Sequence, residues 1–208
     1  MNGTDWDAYY ARPFSAAALT RRITTAKLLR HLQRWLPTPR PCIVELGGAN
    51  SCFISALYHQ LNPAQYVAVD NNRYGLTLLS ERCKDLTGLT VLEDDVQNPQ
   101  QQATADLVFS VGLIEHFDEA GTARAIATHF RYARPGGLVL ISFPTPTWLY
   151  RSVRSLAELT GSWRFPDERP LTFAEVANTM QAHGELLAHD LNLAIMLTQV
   201  LLIGRKAQ

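Results

Sequence analysis

The sequence has no charge imbalance: Lys plus Arg number 19 and Asp plus Glu number 19, a formal net charge of zero. A broad basic surface for nucleic acid is thereby excluded, and so is an acidic, solvating tail. Cysteine is scarce. Its three residues, Cys42, Cys52 and Cys83, are an odd number that does not suit a disulfide framework; they read as small apolar residues of a reducing compartment. There is no long apolar run either. The longest, Leu191 to Ile203, is broken by Asn192, Thr198 and Gln199, so no membrane span is expected. The opening MNGTDWDAYY has no basic region followed by an apolar stretch, so the expected location is cytoplasmic, without a secretory signal. What is present is 208 residues, 47% of them hydrophobic, enough for a single domain with a full core and no disulfide or metal staples.

Short β-branched runs alternate with helical patterns. The runs are Cys42 to Leu46, Tyr66 to Val69, Leu89 to Leu92, Leu107 to Val111 and Leu138 to Phe143, with Glu185 to Leu191 and Gln199 to Gly204 closing the chain. The first five are apolar with little alternation, as in strands covered on both faces of a parallel sheet. Apolar residues recur at helical spacing over residues 16 to 36, and Pro37, Pro39 and Pro41 stop that helix. Phe53 to Leu61 makes a helix after the first strand, with Ser51 as its expected N-cap. Ala123 to Phe130 makes one after the fourth, and Pro135-Gly136-Gly137 turns the chain into the fifth. Leu149, Val153, Leu156, Thr160 and Trp163 form a further stripe, and Thr172-Phe-Ala-Glu175 opens a last helix as a capping box. This order predicts an α/β fold: one doubly wound, mostly parallel, seven-stranded Rossmann-like sheet with helices on both faces. Within the single domain 1–208, residues 1–36 are an N-terminal arm and helix and 42–143 a ligand-binding core. Residues 144–183 are an insertion with a helix, and 184–208 the last strands.

In such a sheet ligands bind beyond the carboxyl ends of the strands. After the first strand stands Glu45-Leu-Gly47-Gly48-Ala49-Asn50-Ser51, whose small residues let backbone N–H groups approach a ligand. After the second comes Asp70, placed to accept hydrogen bonds from two ribose hydroxyls, and after the third Asp94-Asp95, suited to an exocyclic amine. After the fourth, Ser110-Val111-Gly112-Leu-Ile-Glu115-His116-Phe117 ends in a ring that titrates near neutral pH.

Taken together, residues 42 to 143 resemble the class I S-adenosylmethionine-dependent methyltransferases, of the small-molecule type. Glu45 to Ser51 is similar to their acidic-x-Gly-x-Gly-x-Gly motif, with Ala49 and Ser51 in place of the second and third glycines. Ile114-Glu-His-Phe117 looks like their leucine-glutamate-histidine-phenylalanine signature, and Arg134-Pro-Gly-Gly137 like their turn into strand five. The resemblance implies S-adenosyl-L-methionine as cofactor and methyl transfer to an O, N or C nucleophile of a small acceptor. Glu45 and Asn50 join the glycine loop. Asp70 and Asn71 take the ribose, Asp95 and Val96 the adenine, and Ser110, Val111 and Gly112 the methionine side. Tyr10 and Arg12, on an aromatic arm from Trp6 to Phe14, are expected to close over the cofactor, Arg being suited to a carboxylate. Tyr9, Trp148 and Arg151 are expected to meet the acceptor, with His116 there as general base.

Two alternatives stand beside this reading: a non-catalytic cofactor-binding subunit or scaffold of the same fold, to which Ala49 and Ser51 point, and a nicotinamide-dependent oxidoreductase. The latter's Gly-x-Gly-x-x-Gly would fall on Gly47, Ala49 and Cys52 and miss two glycines. No metal is expected. Glu115, His116 and Asp118 are neighbours without a fourth partner, and neither Cys-x-x-Cys nor His-Glu-x-x-His occurs.

Overall fold

A computed structural model describes residues 3–11, 17–36, 38–102 and 104–208, apart from the side chains of 17 and 18. The chain forms β1 (Cys42–Leu46), β2 (Gln65–Asp70), β3 (Leu89–Glu93), β4 (Ala105–Val111), β5 (Ala133–Pro144), β6 (Gly184–Asn192) and β7 (Gln199–Lys206). The helices are α1 (Trp6–Ala11), α2 (Ala17–Trp35), α3 (Ile54–Leu61), α4 (Arg73–Arg82), α5 (Glu119–Tyr132), α6 (Trp148–Leu159) and α7 (Phe173–Gln181), with a 3-10 turn at Ile114–His116. One seven-stranded sheet runs in the order β3-β2-β1-β4-β5-β7-β6, and only β7 lies antiparallel to its neighbours. The strand order reverses between β1 and β4, which opens a crevice beyond their carboxyl ends. Among the described residues no helix is long and apolar enough to cross a membrane.

Strand alternation divides the core in two. Val44, Val108, Val139 and Ile141 face α5 and α7 with Ile126, Phe130, Val176 and Met180. Ile43, Tyr66, Phe109 and Leu140 face α2, α3 and α4 with Leu28, Leu32, Leu57 and Leu79. Parity puts Glu45 on the second face, beside Tyr66, and Ser110 on the first, against α5. There His129, fully buried, holds Ser110. Its Nδ1 faces the Ala125 carbonyl at 2.7 Å, which makes that nitrogen the donor, so Nε2 accepts the Ser110 hydroxyl at 2.8 Å. Burial pushes this ring from 6.5 down to about 4. Below pH 6.5 the unfolded chain protonates it and the folded chain does not, so stability is lost as the pH falls through that window, by about 3 kcal/mol. The double variant Ser110→Ala/His129→Leu removes both partners and is expected to lose less stability on acidification than the parent. Urea unfolding at neutral pH and near the foot of that window checks this, and equal losses in both proteins would contradict it.

Element ends follow local chemistry. Thr172 caps α7 by accepting the Glu175 N–H at 3.2 Å, while Glu175 itself turns to Arg169 at 2.8 Å and does not complete the box. Asp118 caps α5 through the Gly121 N–H. The N-terminal half of the expected irregular arm is a helix: Asp5 accepts the Ala8 N–H at 3.0 Å and starts α1. Arg12, Phe14 and Pro37 lie outside the described residues. Helix α3 begins three residues after Ser51, whose hydroxyl accepts the Phe53 N–H at 3.1 Å ahead of the helix and does not cap it. The α6 stripe ends at Leu159, and Trp163 lies in the loop beyond.

Candidate functional site

The crevice holds a cavity of about 480 Å³. One wall is the loop after β1. Gly47 adopts φ +71°, where a side chain would be strained and would press on Leu113 at 3.0 Å. The other left-handed position of the loop is Asn50, φ 50°, while Ala49 stays out of that region. The Ala49 methyl is accommodated by an absence elsewhere: a Cβ on Gly75 of α4 would lie 2.7 Å from it and 2.7 Å from the Tyr10 ring. The Ser51 hydroxyl donates to Glu45 at 2.8 Å. Both departures from the glycine pattern are therefore built into the packing of the loop.

Glu45 is 3% exposed at the base of this wall, and the Tyr66 hydroxyl donates to its other oxygen at 2.5 Å. Burial raises its carboxyl to about 7, against the lowering effect of Tyr66 and Ser51. A cation brought beside it would pull that value back down. Asp70 closes the end of β2. Its two oxygens accept the Ala49 N–H at 3.0 Å and the Asn72 N–H at 2.8 Å, and the Asn71 N–H also acts on the carboxylate. Burial raises Asp70, while these backbone donors lower it. Tyr10 stands beside it, its hydroxyl pushed up by burial and by the Asp70 charge.

The opposite wall belongs to α1, the 3-10 turn and the loop after α6. The rings of Trp6, Tyr9, His116 and Phe165 meet there, with Trp6 edge-on to His116 at 4.8 Å and Tyr9 to Phe165 at 5.3 Å. His116 Nδ1 lies 3.2 Å from the Asp167 carboxylate, which fixes the proton on that nitrogen and leaves the lone pair on Nε2. Burial lowers the ring's pKa below 6.5 although Asp167 opposes it, so the ring is neutral at pH 7. Burial raises the Asp167 carboxyl, but the Thr4 hydroxyl and N–H and His116 hold it below the ordinary range. Glu115 (2% exposed) and Glu168 also reach this wall, and each of Glu115, His116 and Glu168 has a ligand atom within 4.8 Å of the others. Glu168 accepts from Tyr150, and Oε2 of Glu115 has no partner.

Of the residues expected from sequence, Glu45, Gly47, Ala49, Asn50, Ser51, Val111, Gly112, Tyr9, Tyr10 and His116 line this cavity. Gly48 is packed against Ala68 and Glu45 just behind it. Asp70, Asn71, Asp95 and Val96 do not line it; Asp70 meets its wall through the Ala49 N–H, and the Asp95 carboxylate accepts the Gln97 N–H at 2.8 Å. Ser110 is turned away toward His129. Trp148 is 79% exposed and Arg151 exposed on the outer face of α6, which offers Val153 to the cavity instead. Asp167, Glu168 and Phe165 were not expected from sequence; they lie about fifty residues from His116 in an irregular loop, where periodicity carries no signal. Asp118 spends its carboxylate on the α5 cap, and Glu168 stands near Glu115 and His116 in its place.

Comparison with known proteins agrees with this geometry. Residues 43–137 match the model of a family described as "Methyltransferase domain". Curated protein sequences yield no match. Among solved structures, the N-methyltransferase NodS of Bradyrhizobium japonicum in complex with S-adenosyl-L-homocysteine is 13% identical, with TM-score 0.67 over 88% of this chain and 87% of that one. The magnesium protoporphyrin IX methyltransferase ChlM of Synechocystis, with the same compound bound, is 11% identical, with TM-score 0.73 over 90% and 84%. A chain from the complex between the Haloferax volcanii Trm112 methyltransferase activator and the putative methyltransferase is 16% identical and covers both chains fully, with TM-score 0.76. The solved structures share the fold. With them, the family match takes in the glycine loop, Asp70 and the Glu115-His116 segment, so the chain has the fold of these methyltransferases and its residues 43–137 are similar to a methyltransferase domain.

Proposed function

We propose that the protein transfers the methyl group of S-adenosylmethionine to an O, N or C nucleophile of a small-molecule acceptor, with His116 as general base. The observation that carries this is one cavity lined both by the loop after β1 and by His116, whose ring Asp167 orients. S-adenosylmethionine supplies a methyl already activated by its sulfonium charge, so positioning and proton removal are what the protein must add.

In this reading Glu45 faces the cofactor's ammonium, and the backbone of Gly47 to Ser51 lies along its methionine end. Asp70 and Asn71 hold the ribose, and Asp95 and Val96 flank the adenine. Val111 and Gly112 line the floor, and the Ser110 side chain takes no part. Tyr10, with Trp6 and Tyr9, covers the site from α1 and excludes water. The acceptor lies between His116, Tyr9 and Phe165, and Nε2 takes its proton. The wall is short and the chain carries no net charge, which suits a compact acceptor over a polymer. ChlM, whose acceptor is a magnesium protoporphyrin, shows the fold serving a small molecule. A cytoplasmic, reducing setting suits the three free thiols.

Incubation with methyl-labelled S-adenosylmethionine and a fractionated cell extract tests the acceptor class. Label is expected in the low-molecular-weight fraction, and label in protein or nucleic acid would overturn the small-molecule reading. The base is tested without an acceptor by NMR titration, with the His116 ring assigned by its loss in His116→Ala. Its midpoint is expected below 6.5 because burial outweighs Asp167, and lower still in Asp167→Asn, which removes the carboxylate that favours the charged ring. A midpoint above 6.5 would contradict the environment described.

A further inference from the structure

Glu115 and Glu168 have no part in the mechanism above; among the described residues neither carboxylate is in an ion pair, although the charge of Arg154 lowers the Glu168 carboxyl. Glu115 sits at the cavity wall with one carboxylate oxygen unpartnered, 2% exposed, next to a second carboxylate that reaches it from the loop after α6. An unpaired acid buried this way is costly unless it is neutral or meets a positive charge. Burial, then Glu168, then Asp167 raise the Glu115 carboxyl well above its ordinary range. The nearby cations are committed elsewhere: Arg154 to Glu158, Tyr150 and the Glu168 carbonyl, Arg169 to Glu175 and Thr122, and the two that also line the cavity, Arg21 to the Tyr9 hydroxyl and Arg82 to the Ser51 carbonyl. The aromatic rings of Trp6, Tyr9 and Phe165 line the same cavity, and ring faces and carboxylates together favour an organic cation.

We propose that the acceptor is an amine, bound as its ammonium by Glu115 and Glu168 among Trp6, Tyr9 and Phe165. This rests on the methyl-transfer reading and narrows it to nitrogen. The ammonium gives one proton to His116 Nε2, and the freed lone pair forms the N–C bond to the methyl carbon. The C–S bond breaks with its electron pair left on sulfur, the product is the N-methylammonium, and the proton on His116 passes to water when the site opens. The two carboxylates compensate the positive charge throughout.

Calorimetry on the protein saturated with S-adenosylhomocysteine compares benzylamine with benzyl alcohol, a pair alike in size and different in charge. Benzylamine is expected to bind at least about tenfold more tightly. In Glu115→Gln and in Glu168→Gln that preference is expected to vanish, while the affinity for S-adenosylhomocysteine stays within about twofold. Equal binding of the two probes, binding of neither, or an unchanged preference in Glu115→Gln would overturn the amine. So would binding of manganese(II) that is lost in Glu115→Gln and unaccompanied by an amine preference, since that marks a metal site. Failure to bind S-adenosylhomocysteine at all would instead remove the methyl-transfer reading on which the proposal stands.

Discussion

Asp70→Ala is expected to weaken S-adenosylhomocysteine binding by about a hundredfold to ten-thousandfold. A buried carboxylate that takes two ribose hydroxyls makes two charge-assisted hydrogen bonds, and each is worth roughly 1.5 to 3 kcal/mol. Part of the loss is indirect. Asp70 also accepts the N–H groups of Ala49 and Asn72, so its removal loosens the glycine loop and the start of α4 together. Asp70→Asn keeps one acceptor oxygen and should fall between the two. Calorimetric titration of the three proteins checks the series, with thermal unfolding to show that each is folded. An affinity unchanged in Asp70→Ala would place the ribose elsewhere and dismantle this assignment of the cofactor end.

His116→Ala is expected to slow methyl transfer by about a hundredfold to ten-thousandfold, the range for losing a positioned general base. Its effect should fall on kcat, with S-adenosylhomocysteine affinity within about twofold of the parent, because His116 stands at the acceptor wall and not in the glycine loop. Asp167→Asn should lose less, since the ring remains and only its orienting charge is gone. Single-turnover rates with the acceptor found by labelling measure both. A normal rate in His116→Ala would remove the base and leave proximity and orientation as the source of rate, with the fold unaffected.

Most of the sheet was legible because parallel strands covered on both faces read as continuous apolar runs, and Tyr66 to Val69 is such a run from end to end. The first end of β5 was not, since Arg134-Pro-Gly-Gly137 reads as a turn, and the chain pairs through it with a register shift against β4. Helix α4 carried too few apolar residues to stand out, with only Gly75, Leu76 and Leu79 buried. The glycine-loop side of the candidate site was visible in the sequence because small and acidic residues gather at the strand ends, where this topology opens its crevice. Ser110 was misjudged for want of parity: it sits one position from Phe109 and so faces α5, where His129 claims it. The wall around His116 was largely hidden. Trp148 and Arg151 suggested a pocket by composition, yet the helix turns Val153 inward. The residues that meet His116 are Trp6, from a helix only six residues long, and Asp167, from a loop without period.

The same geometry bears on whether the altered glycine loop still binds the cofactor. Ala49 and Ser51 looked like erosion of a glycine motif, but Gly75 makes room for the one and Glu45 holds the other. A loop repacked around such changes is expected to bind the cofactor. Titration of the purified protein with S-adenosylhomocysteine, with NAD as the comparison ligand, tests this most directly. One-to-one binding in the micromolar range to the first and none to the second is the expected result. Binding of NAD, or of neither, would contradict it.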